Sequence, residues 1–266
     1  MMALATPVAE ICPAHVVALA EAMAEKVREV VQPFWRTGTA VDHKSDNSPV
    51  TKADRAIETA LRDMIKAERP GDGIWGEEHG AENLDAEWVW VIDPIDGTRA
   101  FISGLPTFAT LIAVLHHGKP VLGLIDQPIT GDRWLGAAGR TALFNGQKAV
   151  TRRCRSLDSC HLKATSHEMF QGADAARFFR LTQAVKLTSY GGDALNYGLL
   201  AAGFLDLVVE ADMHPHDFMA LVPVVEGAGG LITDWAGQPL SMQSDGRILA
   251  ACDRTAHEAA LAILAT

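Results

Sequence analysis

The sequence predicts an α+β protein, and three observations carry that expectation. An apolar run of strand character, Trp88-Val89-Trp90-Val91-Ile92, is followed over 108–136 by further short strands separated by turn residues such as Gly118-Lys119-Pro120. Such a strand-and-turn series argues for a mostly antiparallel sheet. Ahead of it lie two segments with apolar residues at helical spacing, and beyond about residue 160 short strands and helices alternate. With 266 residues, 48% hydrophobic and 21% charged, the chain has enough material for one large domain or two lobes.

Taken in order, 11–35 reads as an amphipathic helix through Ile11, Val16, Leu19, Met23, Val27, Val30 and Val31. The stretch 37–50 is polar and turn-rich. A second helix is expected over 51–67, with Ile57, Leu61, Met64 and Ile65 on one face. Asp54 precedes Ile57 by three and Leu61 by seven, which places a carboxylate on that apolar face. It reads either as a first-turn acid complementing the helix dipole or as an inward acid that needs a partner. Pro70-Gly71-Asp72-Gly73 is a turn into a short strand, Ile74-Trp75-Gly76, that ends in Glu77-Glu78-His79. Glu78 and His79 are expected in a solvated loop, whereas Glu77, nearest the strand, is the better ligand candidate.

Strands are expected over 108–115, 121–125 and 133–136. Arg152, Arg153 and Arg155 mark a solvated charge run and a lobe boundary, giving an N-terminal α+β lobe over 1–155 and a C-terminal α/β lobe over 156–266. In the second half, a strand over 162–165 and a helix over 169–184 precede a strand over 185–188 that leads into Gly191-Gly192-Asp193. A helix over 194–202 follows, then a strand over 205–210 ending at Glu210. His214-Pro215-His216-Asp217 opens a helix over 218–228, which Gly229-Gly230 terminates. Strands over 231–234 and 248–251 and a final helix over 255–264 complete the chain.

A formal net charge of −10 makes nucleic acid and anionic membranes poor partners. No run of 18 apolar residues predicts a membrane-spanning helix, and residues 1–10 lack the pattern of a signal peptide. A cytoplasmic protein is expected, with Cys12, Cys154, Cys160 and Cys252 as buried free thiols.

The chemistry centres on Asp93-Pro94-Ile95-Asp96-Gly97-Thr98. Two carboxylates at the end of a core strand call for a cation, most simply a hard one such as Mg2+. Gly97 and Thr98 open the next segment with free N–H groups suited to phosphate. Alone, the stretch reads equally well as a strand followed by an Asp-Gly turn. Other acids recur at strand ends and strand-to-helix junctions, namely Glu77, Asp193, Glu210 and Asp217. Nothing supplies the imidazole and thiolate cluster of a zinc site, and His214 with His216 makes a weak one. There is no nucleophile elbow and no Walker loop. Gly71-Asp72-Gly73-Ile74-Trp75-Gly76 matches GxGxxG but runs from a helix into a strand, the wrong context for a dinucleotide site. Metal ions bound by shared carboxylates beside phosphate-binding N–H groups point to in-line phosphoryl transfer to water.

On these residues the chain resembles the inositol-monophosphatase-like family of Mg2+-dependent, lithium-sensitive phosphomonoesterases. Gly76-Glu77-Glu78, Asp93-Pro94-Ile95-Asp96-Gly97-Thr98 and Asp217 with Ala220 stand in the family's order and spacing. The resemblance implies a layered αβαβα sandwich of two lobes around the metal site. It implies that Glu77, Asp93 and the Ile95 carbonyl bind one Mg2+, that Asp93, Asp96 and Asp217 bind a second, and that a weaker third lies near Glu77. Thr98 with Asp54 would orient the attacking water, and Gly97 and Thr98 N–H groups would hold the phosphate. Lys44 lies where the family keeps a lysine, and Glu210 matches a substrate-contacting acid. Homodimers are the family habit.

Within the family, Phe101-Ile102-Ser103-Gly104, Gly123-Leu124-Ile125-Asp126-Gln127-Pro128, Arg133-Trp134-Leu135-Gly136 and Tyr190-Gly191-Gly192-Asp193 resemble the histidinol-phosphate phosphatases. Histidinol phosphate carries an ammonium and an imidazole, which extra acids at Asp193 and Glu210 would suit. The expected reaction is hydrolysis of L-histidinol phosphate. The alternatives are an inositol or sugar-phosphate phosphatase with the same site, or a non-catalytic protein that kept the fold. One departure is His216, where the family usually has Trp before the last acid.

Overall fold

The computed structural model describes residues 12–38, 41–43 and 49–266, with side chains described for 12–38 and from residue 51 onward. Helix α1 (Ala14–Val31) runs into a short 3-10 turn, and β1 (Val41–His43) pairs antiparallel with β2 (Pro49–Thr51). Then come α2 (Lys52–Glu68), β3 (Gly73–Gly76), β4 (Gly80–Glu82), β5 (Trp88–Asp96) and α3 (Thr98–Ile102). A meander follows: β6 (Ala109–His116), β7 (Lys119–Asp126), β8 (Arg133–Ala137), β9 (Leu143–Phe144) and β10 (Gln147–Lys148). The remainder alternates as β11 (His161–Ala164), α4 (Gly172–Ala184), β12 (Leu187–Tyr190), α5 (Leu195–Ala201), β13 (Leu207–Glu210), α6 (Pro215–Phe218), α7 (Leu221–Gly227), β14 (Leu231–Thr233), β15 (Ile248–Ala251) and α8 (Arg254–Leu264).

The first sheet has eight strands in the order β10-β9-β8-β7-β6-β5-β3-β4, antiparallel except where β3 runs parallel to β5. The second has five, in the order β12-β11-β13-β15-β14. Both sheets are covered on both faces, which is why their strands read as nearly continuous apolar runs. Trp90, Ile92, Ile112 and Val114 pack on α1 and α2, while the alternate residues Val91, Leu111 and Ala113 face α5 and α7. Val208, Ile248 and Ala250 of the second sheet close that middle layer from the other side, and Leu207, Val209 and Leu249 face α4 and α8. The layers are therefore helix, sheet, helix, sheet, helix, as expected.

Where elements differ from the sequence reading, local causes are visible. The 37–50 stretch holds β1 and most of β2, and these strands, like β4, β9 and β10, are two or three residues long, too short for alternation to register. The helix expected over 218–228 is divided into α6 and α7 because Pro223 cannot donate to the Met219 carbonyl. Arg152 is not a freely solvated charge but pairs with buried Asp206. All four cysteines are buried free thiols.

Candidate active site

Asp96 lies three positions after Asp93, a spacing that would send their side chains to opposite faces of a regular strand. The β5–β6 register shifts between them: Asp93 pairs with Leu111 and Asp96 with Ala109. The extra residue is a bulge, which re-aims a side chain. Pro94 sits inside it, its carbonyl accepting from Thr110 Oγ1 at 2.7 Å. Both carboxylates thus reach one cavity. Asp93 Oδ1 accepts the Ile95 N–H at 3.0 Å, and Thr98 Oγ1 donates to the Ile95 carbonyl at 3.2 Å. Gly97 then turns the chain into α3 with φ +89°, and a Cβ there would meet the Asp193 carboxyl at 2.9 Å. Only glycine combines that backbone with that approach.

Glu77 arrives on the neighbouring strand, its N–H bonded to the Ile92 carbonyl at 3.2 Å. The turn behind it is pinned by Glu58, whose carboxylate accepts the N–H groups of Glu78 (2.7 Å) and His79 (3.1 Å) and pairs with Arg62 at 2.8 Å. The Glu78–His79 loop is therefore anchored rather than merely solvated. Asp217 enters from the middle layer in the first turn of α6, where its Oδ2 accepts the His214 N–H at 2.7 Å. Gly123 and Gly136, cross-strand partners on β7 and β8, let the α6–α7 segment lie directly on the sheet.

Carboxylate oxygens of Asp93, Asp96 and Asp217 lie within 4.8 Å of one another. Burial, and then the charges of Glu77, Asp96 and Asp217, push the Asp93 carboxyl well above its ordinary range. Asp96 is raised by burial and by Asp193 and Asp217, against the opposing Ala194 N–H at 2.6 Å. Asp217 is raised by burial, with His216 (Nε2 3.3 Å from Oδ1) opposing. A ligand cluster made only of mutually destabilised carboxylates fits a hard divalent cation. The partnerless, buried Oδ1 of Asp54 adds to that fit.

Opposite the bulge, Gly191 and Gly192 lead into Asp193, itself left-handed at φ 44°. Glu210 is buried at the end of β13. Its Oε1 accepts from the Thr165 N–H (3.0 Å) and Oγ1 (2.6 Å), and its Oε2 from the Tyr197 hydroxyl (3.1 Å). Burial pushes Glu210 up to about 7 and Asp193 up to about 6.

A cavity of about 190 Å³ brings together Glu77, Asp93, Ile95, Asp96, Gly97, Thr98, Asp193, Glu210 and Asp217. Asp54 stands behind this lining, as the N3 residue of the α2 capping box with Thr51. Burial lifts it to about 6, opposed by its Thr51 bonds and assisted by Glu78 and Glu77. Lys44 lies outside the described residues. Sequence reasoning missed Thr165, Met169, Asp212 and Met213 on the cavity wall, and Glu58 and Tyr197 behind it. For Glu58 a signal existed: with Asp54 and Arg62 it forms an i, i+4, i+8 polar row beside the apolar face of α2. His214 and His216 stack at 5.5 Å but belong to no three-residue ligand cluster among the described residues.

The sequence profile of the inositol monophosphatase family matches residues 13–266. The chain is 43% identical over 253 residues to bifunctional phosphatase IMPL2, chloroplastic, of Arabidopsis thaliana, spanning 92% of this chain and 73% of that protein. It is 36% identical over 226 residues to a histidinol-phosphatase of Mycobacterium tuberculosis, spanning 82% and 87% respectively. Among solved structures, an inositol monophosphatase from Zymomonas mobilis superposes with a TM-score of 0.87 at 45% identity, covering 94% of this chain and 97% of that one.

Proposed function

The chain belongs to the inositol monophosphatase family and is a metal-dependent phosphatase of small phosphate esters; from that premise we propose that it hydrolyses L-histidinol phosphate to L-histidinol and phosphate, with Mg2+ as its metal. The observation that carries the substrate is the second acidic group in the cavity. Asp93, Asp96 and Asp217 would hold cations, which would neutralise the first group. Asp193 and Glu210 then remain to face a leaving group that bears an ammonium and an imidazole. Relatives named histidinol-phosphatase support the same reading.

In this proposal Glu77, Asp93 and the Ile95 carbonyl would hold one ion, and Asp93, Asp96 and Asp217 would hold another. Bound Mg2+ supplies charge neutralisation at the phosphate and Lewis-acid activation of water. Gly97 and Thr98 present N–H groups to the phosphate. Thr98, anchored on the Ile95 carbonyl, orients the attacking water together with Asp54, whose open Oδ1 can accept a proton.

The identity to the Zymomonas mobilis protein favours a second reading, inositol 1-phosphate. Comparing kcat/KM on the two esters with Mg2+, repeated with lithium, decides between them. Asp93→Asn and Asp217→Asn should each abolish turnover while leaving the circular dichroism spectrum intact. Near-normal activity in either variant would sink the site assignment.

A further inference from the structure

We propose that Glu87, His116 and His117 form a second metal site, for a divalent transition-metal ion of the zinc type, at the end of the first sheet opposite the active site. One ligand atom from each residue lies within 4.8 Å of the others. Trp88, the first residue of β5, pairs with His116, the last of β6, and the His117 N–H closes the hairpin end on the Glu87 carbonyl at 2.9 Å.

Adjacent residues of a strand point to opposite faces. His117 escapes that rule because its backbone is left-handed, at φ 49°, and its ring is turned alongside His116 with centroids 4.3 Å apart. Left-handed backbone at a residue other than glycine is uncommon. Here its effect is to gather two imidazoles on one side. Glu87 Oε1 is 2.9 Å from His116 Nε2 and 4.0 Å from His117 Nε2. Those spacings bracket the roughly 3.3 Å between neighbouring ligands of a tetrahedral ion with bonds of about 2.0–2.1 Å.

The His116 ring is already ordered. It stacks on Trp88 at 4.1 Å and 18°, and the Arg69 guanidinium lies over that indole at 5.6 Å. Arg69 is fixed in turn by Asp72 at 2.8 Å. Glu87 and His117 are exposed and free to close on an ion, and water would complete the coordination.

Two imidazoles and one carboxylate suit zinc, nickel or copper and not Mg2+, whereas the active-site cluster is all oxygen. Glu87 and Asp93 lie six residues apart along β5, roughly 20 Å, so the two centres do not share ligands. The competing account of the same contacts is a plain Glu87–His116 ion pair on the surface.

The test is calorimetric titration of Zn2+ into the full-length protein in saturating Mg2+, for wild type, His117→Asn, Glu87→Gln and Asp93→Asn. Asparagine tolerates left-handed backbone, so His117→Asn removes the ligand and keeps the turn. One zinc equivalent should bind in wild type and Asp93→Asn. It should weaken at least ~10-fold in both His117→Asn and Glu87→Gln, since losing even an outer-shell partner has that effect. Zinc should also raise the melting temperature of wild type but not of His117→Asn, with equal values in chelator. Identical isotherms for wild type and His117→Asn, or an equivalent lost in Asp93→Asn and kept in His117→Asn, would overturn the proposal.

Discussion

Replacing Gly123 by alanine separates the fold's contribution to the site from that of the ligands themselves. Gly123 touches neither metal ligand nor cavity; it lies on β7 under the α6–α7 segment. A Cβ built there falls 1.9 Å from the Ala220 carbonyl oxygen and 2.8 Å from its carbon. Carbon–oxygen contacts sit at roughly 3.3–3.6 Å, so the helix segment must withdraw by more than about 1 Å. It cannot do so cheaply. β7 is bonded to β6 and β8 along its length, and Leu221, Val224 and Val225 are fully buried. Overpacking of such a core costs about 1–3 kcal/mol. At roughly 2–4 °C per kcal/mol for a chain of this size, the melting temperature should fall by a few to about ten degrees.

The larger effect should be on activity. Asp217 is only three residues before Ala220 and rides on the displaced segment. A misplacement of ~1 Å can lower a rate by about 10²-fold. Gly123→Ala should therefore lose kcat/KM by about that factor and need more Mg2+ for half-maximal rate, while circular dichroism shows a folded protein. Gly136→Ala, whose Cβ would meet the Pro223 carbonyl at 2.2 Å, should behave alike. A Gly123→Ala enzyme with wild-type kcat/KM and Mg2+ dependence would refute the claim that this contact positions Asp217.

Three further outcomes are expected. Glu58→Ala removes the closer of the two carboxylates that pair with buried Arg62, leaving Glu82 at 3.3 Å, and should destabilise the protein by about 1–3 kcal/mol in urea denaturation. The same change frees the Glu77 turn and should raise the Mg2+ requirement, with Glu58→Gln milder on both counts. In chelator, stability should fall as pH rises from about 4 to 7, because Asp54, Asp193 and Glu210 have folded pKa values above their unfolded ones and favour the protonated form. Melting curves across that range check the sign, and added Mg2+ should flatten the dependence. Asp193→Asn and Glu210→Gln should lower kcat/KM about 10–100-fold on histidinol phosphate, the scale of a hydrogen bond to a charged group, and less on inositol 1-phosphate. Equal losses on both esters would remove the argument for a cationic leaving group.

Much of the fold and of the site's acids was legible, for a definite reason. Glu77, Asp93 and Asp96 sit where apolar runs end and Asp217 where one begins, and hydrophobic patterning exposes a carboxylate at such a boundary. The layered fold followed from the same patterning, since sheets covered on both faces write long apolar runs such as 88–92. The β1–β2 hairpin, β4 and the break before Pro223 were not legible as elements. They are set by two- and three-residue pairings and by one missing donor, below the window in which periodicity speaks.

What escaped within the site acts from behind it. Asp93 and Asp96 converge only because Pro94 and Ile95 form a bulge against β6, a fact of pairing between strands that neither strand carries alone. Tyr197 and the Gly123–Gly136 pair are invisible as chemistry, and Glu58 shows only as one member of a polar row on α2, because none faces the cavity. Each instead holds a group that does: Glu58 the Glu77 turn, Tyr197 the Glu210 carboxylate, and the glycines the helix bearing Asp217. The division has an electrostatic cause. Acids this close repel, and the described cations answer only part of the cluster: Arg99 and Lys163 act on Asp193, and Lys163, bonded to the Gly191 carbonyl at 2.8 Å, also faces Glu210. Rigid support at Glu58, Tyr197 and the glycine pair holds these mutually repelling acids in a geometry ready to bind a metal ion. Loosening a support should therefore weaken metal affinity before it unfolds the protein.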